Sequence, residues 1–289
     1  FAPSPDEDKY RRGVVGVVAG SDTYPGAGLL TTFAASNTGV GMVRLNSTRR
    51  VEDLVLHYAP GVVTVGGRIQ SGVIGPGCTN ERYEDCRELA QFCIDSKLPL
   101  VIDAGALDLV KGLRDYADAQ SRSLSRAILT PHHGEAAHLL TQLGSPHSRA
   151  DVDADPFASA KELVSLTGVI ILLKSATTVC SYLKHDQGSW TQEILSIPQE
   201  TPWAGVAGSG DVLAGTVAGI AAGFQARAER RQGNPSISEA DCATLASLGA
   251  WVHAQAALRT SVGSEGKVRP IQAIDIARAL PETIGGLCS

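Results

Sequence analysis

Aromatic residues are scarce in this 289-residue chain, at 5%, while glycine is plentiful, at 31. So few aromatics argue against a carbohydrate- or base-stacking surface. Many small and aliphatic residues instead suit a sheet covered by closely packed helices. Positive charge is not in excess. The formal net charge is −5, so no global field holds nucleic acid and any anion site must be local. No apolar run approaches the roughly 18 residues of a membrane span, so neither nucleic acid nor membrane is an expected partner. The opening residues, Phe1-Ala2-Pro3-Ser4-Pro5-Asp6-Glu7-Asp8, are polar and acidic rather than a secretory signal. An initiator Met is missing too, so a trimmed chain or one domain of a longer protein is expected. The six cysteines are scattered, with neither a CxxC pair nor zinc spacing. They read as reduced thiols of a cytoplasmic protein. Neither the GxGxxG fingerprint nor a Walker A lysine motif occurs.

What is present alternates between strand and helix patterns. Short β-branched or aliphatic runs lie at residues 14–19, 61–66, 73–74, 99–103, 127–131 and 168–174. Helical patterns cover about 26–37, 81–95, the stretch from 135, the stretch from 209, 238–259 and 271–280. Residues 177–183 and 190–197 read as antiparallel strands joined near Asp186-Gln187-Gly188. The alternation predicts an α/β fold: a mainly parallel central sheet with helices on both faces and an antiparallel edge. Residues 115–126, 144–155 and 225–235 read as surface loops. With no linker or repeat, residues 1–289 are expected to form a single domain, with 1–12 as a flexible tail.

In doubly wound sheets ligands bind beyond the carboxyl ends of the strands, and four segments there carry candidate chemistry. Gly208-Ser209-Gly210-Asp211 opens a helix. Its glycines let amides approach an anion, and the helix N-terminus favours phosphate. Asp211 would be repelled by that phosphate, so proton abstraction from a substrate hydroxyl is a reason for it to be there. The same residues also read as an ordinary helix cap. Thr130-Pro131-His132-His133-Gly134-Glu135 ends a strand and starts a helix. His133, Glu135 and His138 lack the i, i+4 pairing of a zinc helix, so hydrogen bonding to substrate is expected there rather than a protein metal site. Lys174 ends a buried strand, where its charge needs a partner such as phosphate, or snorkels to solvent. The Gly-rich turn at Gly20-Ser21 through Gly28 is a weak signal alone.

Taken together and in this order, these stretches resemble the NAD(P)H-hydrate dehydratase family of the ribokinase-like superfamily. The matching stretches are Ala19-Gly20-Ser21, Tyr24-Pro25-Gly26-Ala27, Gly75-Pro76-Gly77, Pro99 through Ala104, Thr130 through Glu135, Lys174 through Thr178, and Gly208 through Gly215. The resemblance covers residues 14–280. It implies repair of NADH or NADPH hydrated on the nicotinamide ring. A nucleotide, ADP in bacterial members and ATP in eukaryotic ones, phosphorylates the ring hydroxyl with Mg²⁺, and phosphate then departs. It also implies roles. Ala27, Gly77 and His132 contact the hydrated dinucleotide. Lys174, Ser175, Ala176, Thr177 and Thr178 run along the nucleotide, with Gly210 a further contact. Asp211 faces the substrate hydroxyl, and the amides of Gly208, Ser209 and Gly210 form the anion hole. Family members are often homo-oligomers, and the small residues at 26–41 could allow close subunit packing.

The chain departs from the family pattern at Ser175, where Gly is usual, at Cys78-Thr79 after Gly-Pro-Gly, and at Gly105, where Asp is more frequent. These positions bear on nucleotide and dinucleotide contacts rather than on Asp211. Two other functions fit parts of the pattern. A ribokinase-like kinase for a vitamin-precursor alcohol would use the same hole and base but stop at the phosphate ester. A non-catalytic nucleotide sensor would gain nothing from a carboxylate beside phosphate.

Overall fold

Eight strands form one sheet in the computed structural model, which describes residues 2–186, 188–230, 236–262 and 266–288. They are β1 (Val14–Val18), β2 (Met42–Asn46), β3 (Ser71–Ile74), β4 (Leu100–Ile102), β5 (Ala127–Leu129), β6 (Ile170–Leu173), β7 (Thr177–Asp186) and β8 (Ser189–Pro198). Their order is β2-β1-β3-β4-β5-β6-β7-β8. Strands β1 to β6 pair in parallel, and β7 and β8 add an antiparallel edge. The expected α/β architecture is therefore present. The hairpin is longer than its sequence pattern indicates, and Gln187 at its expected turn lies outside the described residues.

Strands β1, β3, β4, β5 and β6 are short and buried throughout because both faces are covered. Val15 and Val17 point into one core, and Val14 and Val18 into the other, the two-residue period of a strand. The first core takes α1 (Pro25–Ser36), α2 (Arg49–Tyr58), α8 (Ser209–Glu229), α9 (Glu239–Ser261) and α10 (Ala273–Gly285). The second takes α3 (Tyr83–Asp95), α4 (Val110–Ala119), α5 (His133–Gln142), α6 (Arg149–Ala154) and α7 (Pro156–Thr167). Helices α1 and α8 approach closely: a Cβ added at Gly215 would lie 2.2 Å from the Thr31 carbonyl oxygen. Thr31 and Ala34 of α1 thus pack against α8 within the chain, while Gly26 and Gly39 have nothing within 4 Å of an added Cβ. Ahead of β1, Glu7 pairs with Arg230, and the Arg11 carbonyl accepts from Arg230.

Several local expectations are corrected. Residues 61–66 form no strand. Val63 makes one parallel bridge to Arg44, and the chain then wraps the Arg44 guanidinium, which donates to the carbonyls of Val65 and Gly66 at 2.8 and 3.0 Å. The edge position belongs to β2, whose central arginine disguises it in the sequence. Helix α4 occupies the first part of the expected 115–126 loop. Helix α6 lies within 144–155, started by a capping box between Ser148 and Asp151. Helix α8 runs on through Glu229 into the expected 225–235 loop, of which 231–235 lie outside the described residues. No helix among the described residues is long and apolar enough to cross a membrane.

Candidate active site

The carboxyl ends of β4, β5 and β6 converge on one charged cluster. Asp103 follows β4 and is almost wholly buried, at 1% exposure. Thr130, after β5, donates to its Oδ1 at 2.7 Å, and Lys174, after β6, donates to the same oxygen at 2.7 Å. Glu135, in the first turn of α5, adds a carboxylate 3.8 Å from Lys174 Nζ. The Lys174 backbone N–H is fixed to the Pro131 carbonyl at 2.8 Å. A buried ammonium requires such partners. Burial acts to lower the Lys174 pKa, but the carboxylates of Asp103, Glu135 and Asp211 outweigh it and hold the pKa above its ordinary value.

The fourth wall is the start of α8. Gly208 adopts φ +89°, and a Cβ there would fall 2.4 Å from Leu30 Cδ1 of α1, so the turn requires glycine. The Gly210 Cα faces the ammonium: a Cβ built there would sit 3.2 Å from Lys174 Nζ. Asp211 follows in the first turn. Burial, reinforced by the charges of Asp103 and Glu135 and opposed by Lys174, pushes its pKa up to about 7. A carboxylate with that pKa is matched to accept a proton near neutral pH.

Beside this cluster lies a cavity of about 590 Å³. Lys174, Ser175, Ala176 and Thr178 form one wall, and Ser209 and Gly210 another. Of the expected nucleotide segment only Thr177 is missing from the lining. His132 lines this cavity and also a second one of about 400 Å³ along α5. It caps α5, accepting from the Glu135 N–H through Nδ1 at 3.2 Å, while Glu135 accepts from the His132 N–H at 2.8 Å. Ala27 and Gly77 line neither cavity but lie against each other: a Cβ at Gly77 would be 2.5 Å from Ala27 Cβ. Their link to the cluster runs through α1, whose Leu30 contacts Gly208. The expected ring of amides is partly committed, since the Ser209 N–H donates to the Val206 carbonyl at 3.1 Å.

Asp103 closes the 99–103 run, but the sequence pattern alone gives it no role. That pattern misses His253 altogether. This residue sits on α9, is 3% exposed, and lines the 590 Å³ cavity with Nε2 3.2 Å from Ser209 Oγ. Only the fold brings it to a residue 44 positions earlier. Apart from Leu213 of α8, the remaining lining, including Gln199, Thr201 and Gly205, comes from the connection between β8 and α8.

His133, Glu135 and His138 diverge. His133 pairs with Asp153, His138 with Asp108 at 3.3 Å, and Glu135 with Lys174. Among the described residues no group of three or more His, Cys, Asp or Glu is arranged to hold a metal. Mg²⁺ is usually held largely by phosphate oxygens and water rather than by an all-protein cage.

A mainly parallel sheet with an antiparallel edge and helices on both faces gives the chain the fold of solved ribokinase-like structures. Within that class the chain belongs to the NAD(P)H-hydrate dehydratase family, which matches it over residues 15–279. It is 36% identical over 225 residues to the bifunctional NAD(P)H-hydrate repair enzyme Nnr of Mycobacterium tuberculosis, covering 76% of this chain and 43% of that protein. The chain thus spans about half the length of the curated relatives it matches first. Against the ADP-dependent (S)-NAD(P)H-hydrate dehydratase of Xanthomonas campestris it is 28% identical, covering 99% and 91% of the two chains. The crystal structure of the ADP/ATP-dependent NAD(P)H-hydrate dehydratase of Bacillus subtilis, co-crystallized with ATP/Mg²⁺, superposes with a TM-score of 0.73 at 20% identity, covering 99% and 93%.

Proposed function

We propose that this chain is an ADP-dependent (S)-NAD(P)H-hydrate dehydratase. The observation that carries the reading is Asp211, with a pKa of about 7, placed just behind the Gly208–Gly210 turn and in the field of Lys174. Nucleotide occupies the 590 Å³ cavity, along Lys174, Ser175, Ala176, Thr177 and Thr178. The hydrated dinucleotide lies across Ala27, Gly77 and His132, with its ring hydroxyl toward Asp211. Asp211 takes the hydroxyl proton as the oxygen attacks the terminal phosphorus of the nucleotide. Lys174 and the free amides of the turn balance charge on the transferring group. The new phosphate ester then leaves, pushed out by the lone pair of the ring nitrogen. The neighbouring ring carbon gives up a proton and the double bond is restored. The balance is hydrated NADH plus ADP giving NADH, AMP and phosphate.

Mg²⁺ belongs to this proposal as a companion of the nucleotide. It would be held mainly by the phosphate oxygens of the nucleotide, and its charge would neutralise the transferring group.

The kinase alternative uses the same groups but leaves a stable phosphate ester. Product analysis separates the two. Incubation with hydrated NADH and ADP is expected to yield NADH, AMP and inorganic phosphate in equal amounts. A phosphorylated product with no free phosphate would replace the dehydratase with a kinase.

A further inference from the structure

Within the proposed site, Ser209 has only its side chain to offer a ligand. Its N–H is engaged by Val206, yet the residue lines the nucleotide cavity. Its Oγ meets His253 Nε2 at 3.2 Å, and the other ring nitrogen, Nδ1, is buried without a hydrogen-bond partner among the described residues. That asymmetry favours one tautomer. A buried N–H lacking an acceptor is rarer and costlier than a buried lone pair lacking a donor. Nδ1 is therefore the bare nitrogen, and the proton is on Nε2. The ring is also neutral: burial, opposed by hydrogen bonding to the Ser209 backbone and aided by the Lys174 charge, brings its pKa down to about 4. With Nε2–H donating to Ser209 Oγ, the serine hydroxyl proton cannot point back at the imidazole.

We propose that His253 is a positioning residue that, by donating from Nε2 to Ser209 Oγ, turns the Ser209 hydroxyl proton into the cavity toward a nucleotide phosphate oxygen. Ser209 then contributes a hydroxyl donor where its amide is unavailable. This inference rests on the nucleotide reading of the cavity and concerns the ligand's phosphate, not the identity of the second substrate.

The test is a double-mutant cycle on ADP affinity by calorimetry, with thermal melting as a check of folding. Ser209→Ala and His253→Phe are each expected to weaken ADP binding about tenfold, the loss of one hydrogen bond to a charged group. The double variant should be no weaker than either single one, because both act through one hydroxyl. His253→Gln, which keeps a donor, should bind within about threefold of wild type, a rescue that a merely space-filling histidine would not require. Wild-type ADP affinity in Ser209→Ala, or multiplied losses in the double variant, would overturn the proposal. Should His253→Phe fail to fold, the comparison of Ser209→Ala with His253→Gln still decides: loss in the first with retention in the second supports the proposal, and equal loss in both contradicts it. Failure of the wild-type protein to restore hydrated NADH, with the ADP cycle behaving as described, would remove the dehydratase reading and leave the role of His253 in place.

Discussion

Asp211 carries both a functional and a stability consequence. Its folded-state pKa of about 7 stands above the ordinary 3.8. As pH rises through that window the unfolded chain loses the proton first, so folding is progressively penalised and the penalty is complete above pH 7. Asp211→Asn lacks the ionisation. We expect the variant to melt higher than wild type above neutral pH, by on the order of 1–4 kcal/mol, with the gap closing toward acid pH. Calorimetric scans at several pH values measure it, and a variant less stable than wild type at alkaline pH contradicts the burial of the charge. On the proposed reading the same residue sets the pH dependence of turnover. In the free enzyme kcat/KM should climb with pH through an apparent pKa near 7, because only the carboxylate accepts a proton. A flat profile between pH 5 and 9 would exclude Asp211 as the base.

At the scale of elements, the site depends on how closely α8 lies on α1. A Cβ at Gly215 would press on the Thr31 carbonyl, backbone that cannot swing aside. Gly215→Val is therefore expected to cost about 2–4 kcal/mol of stability, read as a shift of the denaturation midpoint. An unchanged midpoint would mean the helices can separate freely. Elements are also where sequence reading succeeded and failed. The apolar runs of β1, β4, β5 and β6 are legible because strands covered on both faces read as unbroken aliphatic stretches. Strand β2 was obscured by Arg44, whose partners are carbonyls some 20 residues away that no local pattern reveals. Helix α6 buries only Val152 and so shows no apolar stripe, while the stripe of α4, Val110, Leu113 and Ala117, runs into the polar stretch read as a loop. The Gly208–Asp211 turn stood out by its residue types as a glycine-rich helix start, but those types alone fit a plain helix cap as well as an anion site. His253 was not, because an apolar helix with one histidine looks the same whether or not it meets a serine on another helix.

For the whole molecule, the two cores leave its thiols unequally available. Cys78, Cys86, Cys93, Cys180 and Cys242 are buried, and Cys288 is exposed. Burial pushes the thiols of Cys93, Cys180 and Cys242 up to about 12, well away from the reactive thiolate form. A thiol reagent should therefore label Cys288 first in the native protein and all six after denaturation, as peptide mass mapping would show. Early labelling of a core cysteine would reveal an opening that the packing does not predict. The two cores also hold the sheet that brings Asp103, Thr130, Lys174 and Asp211 together from four separate elements. The most direct measurement on that assembly is the recovery of dihydronicotinamide absorbance when hydrated NADH meets the protein, Mg²⁺ and ADP or ATP, with wild type and Asp211→Asn run side by side. The account predicts recovery that requires nucleotide, is faster with ADP, and falls by at least about a hundredfold in the variant, whose ADP affinity stays near wild type. Recovery without nucleotide, or undiminished in Asp211→Asn, would contradict it.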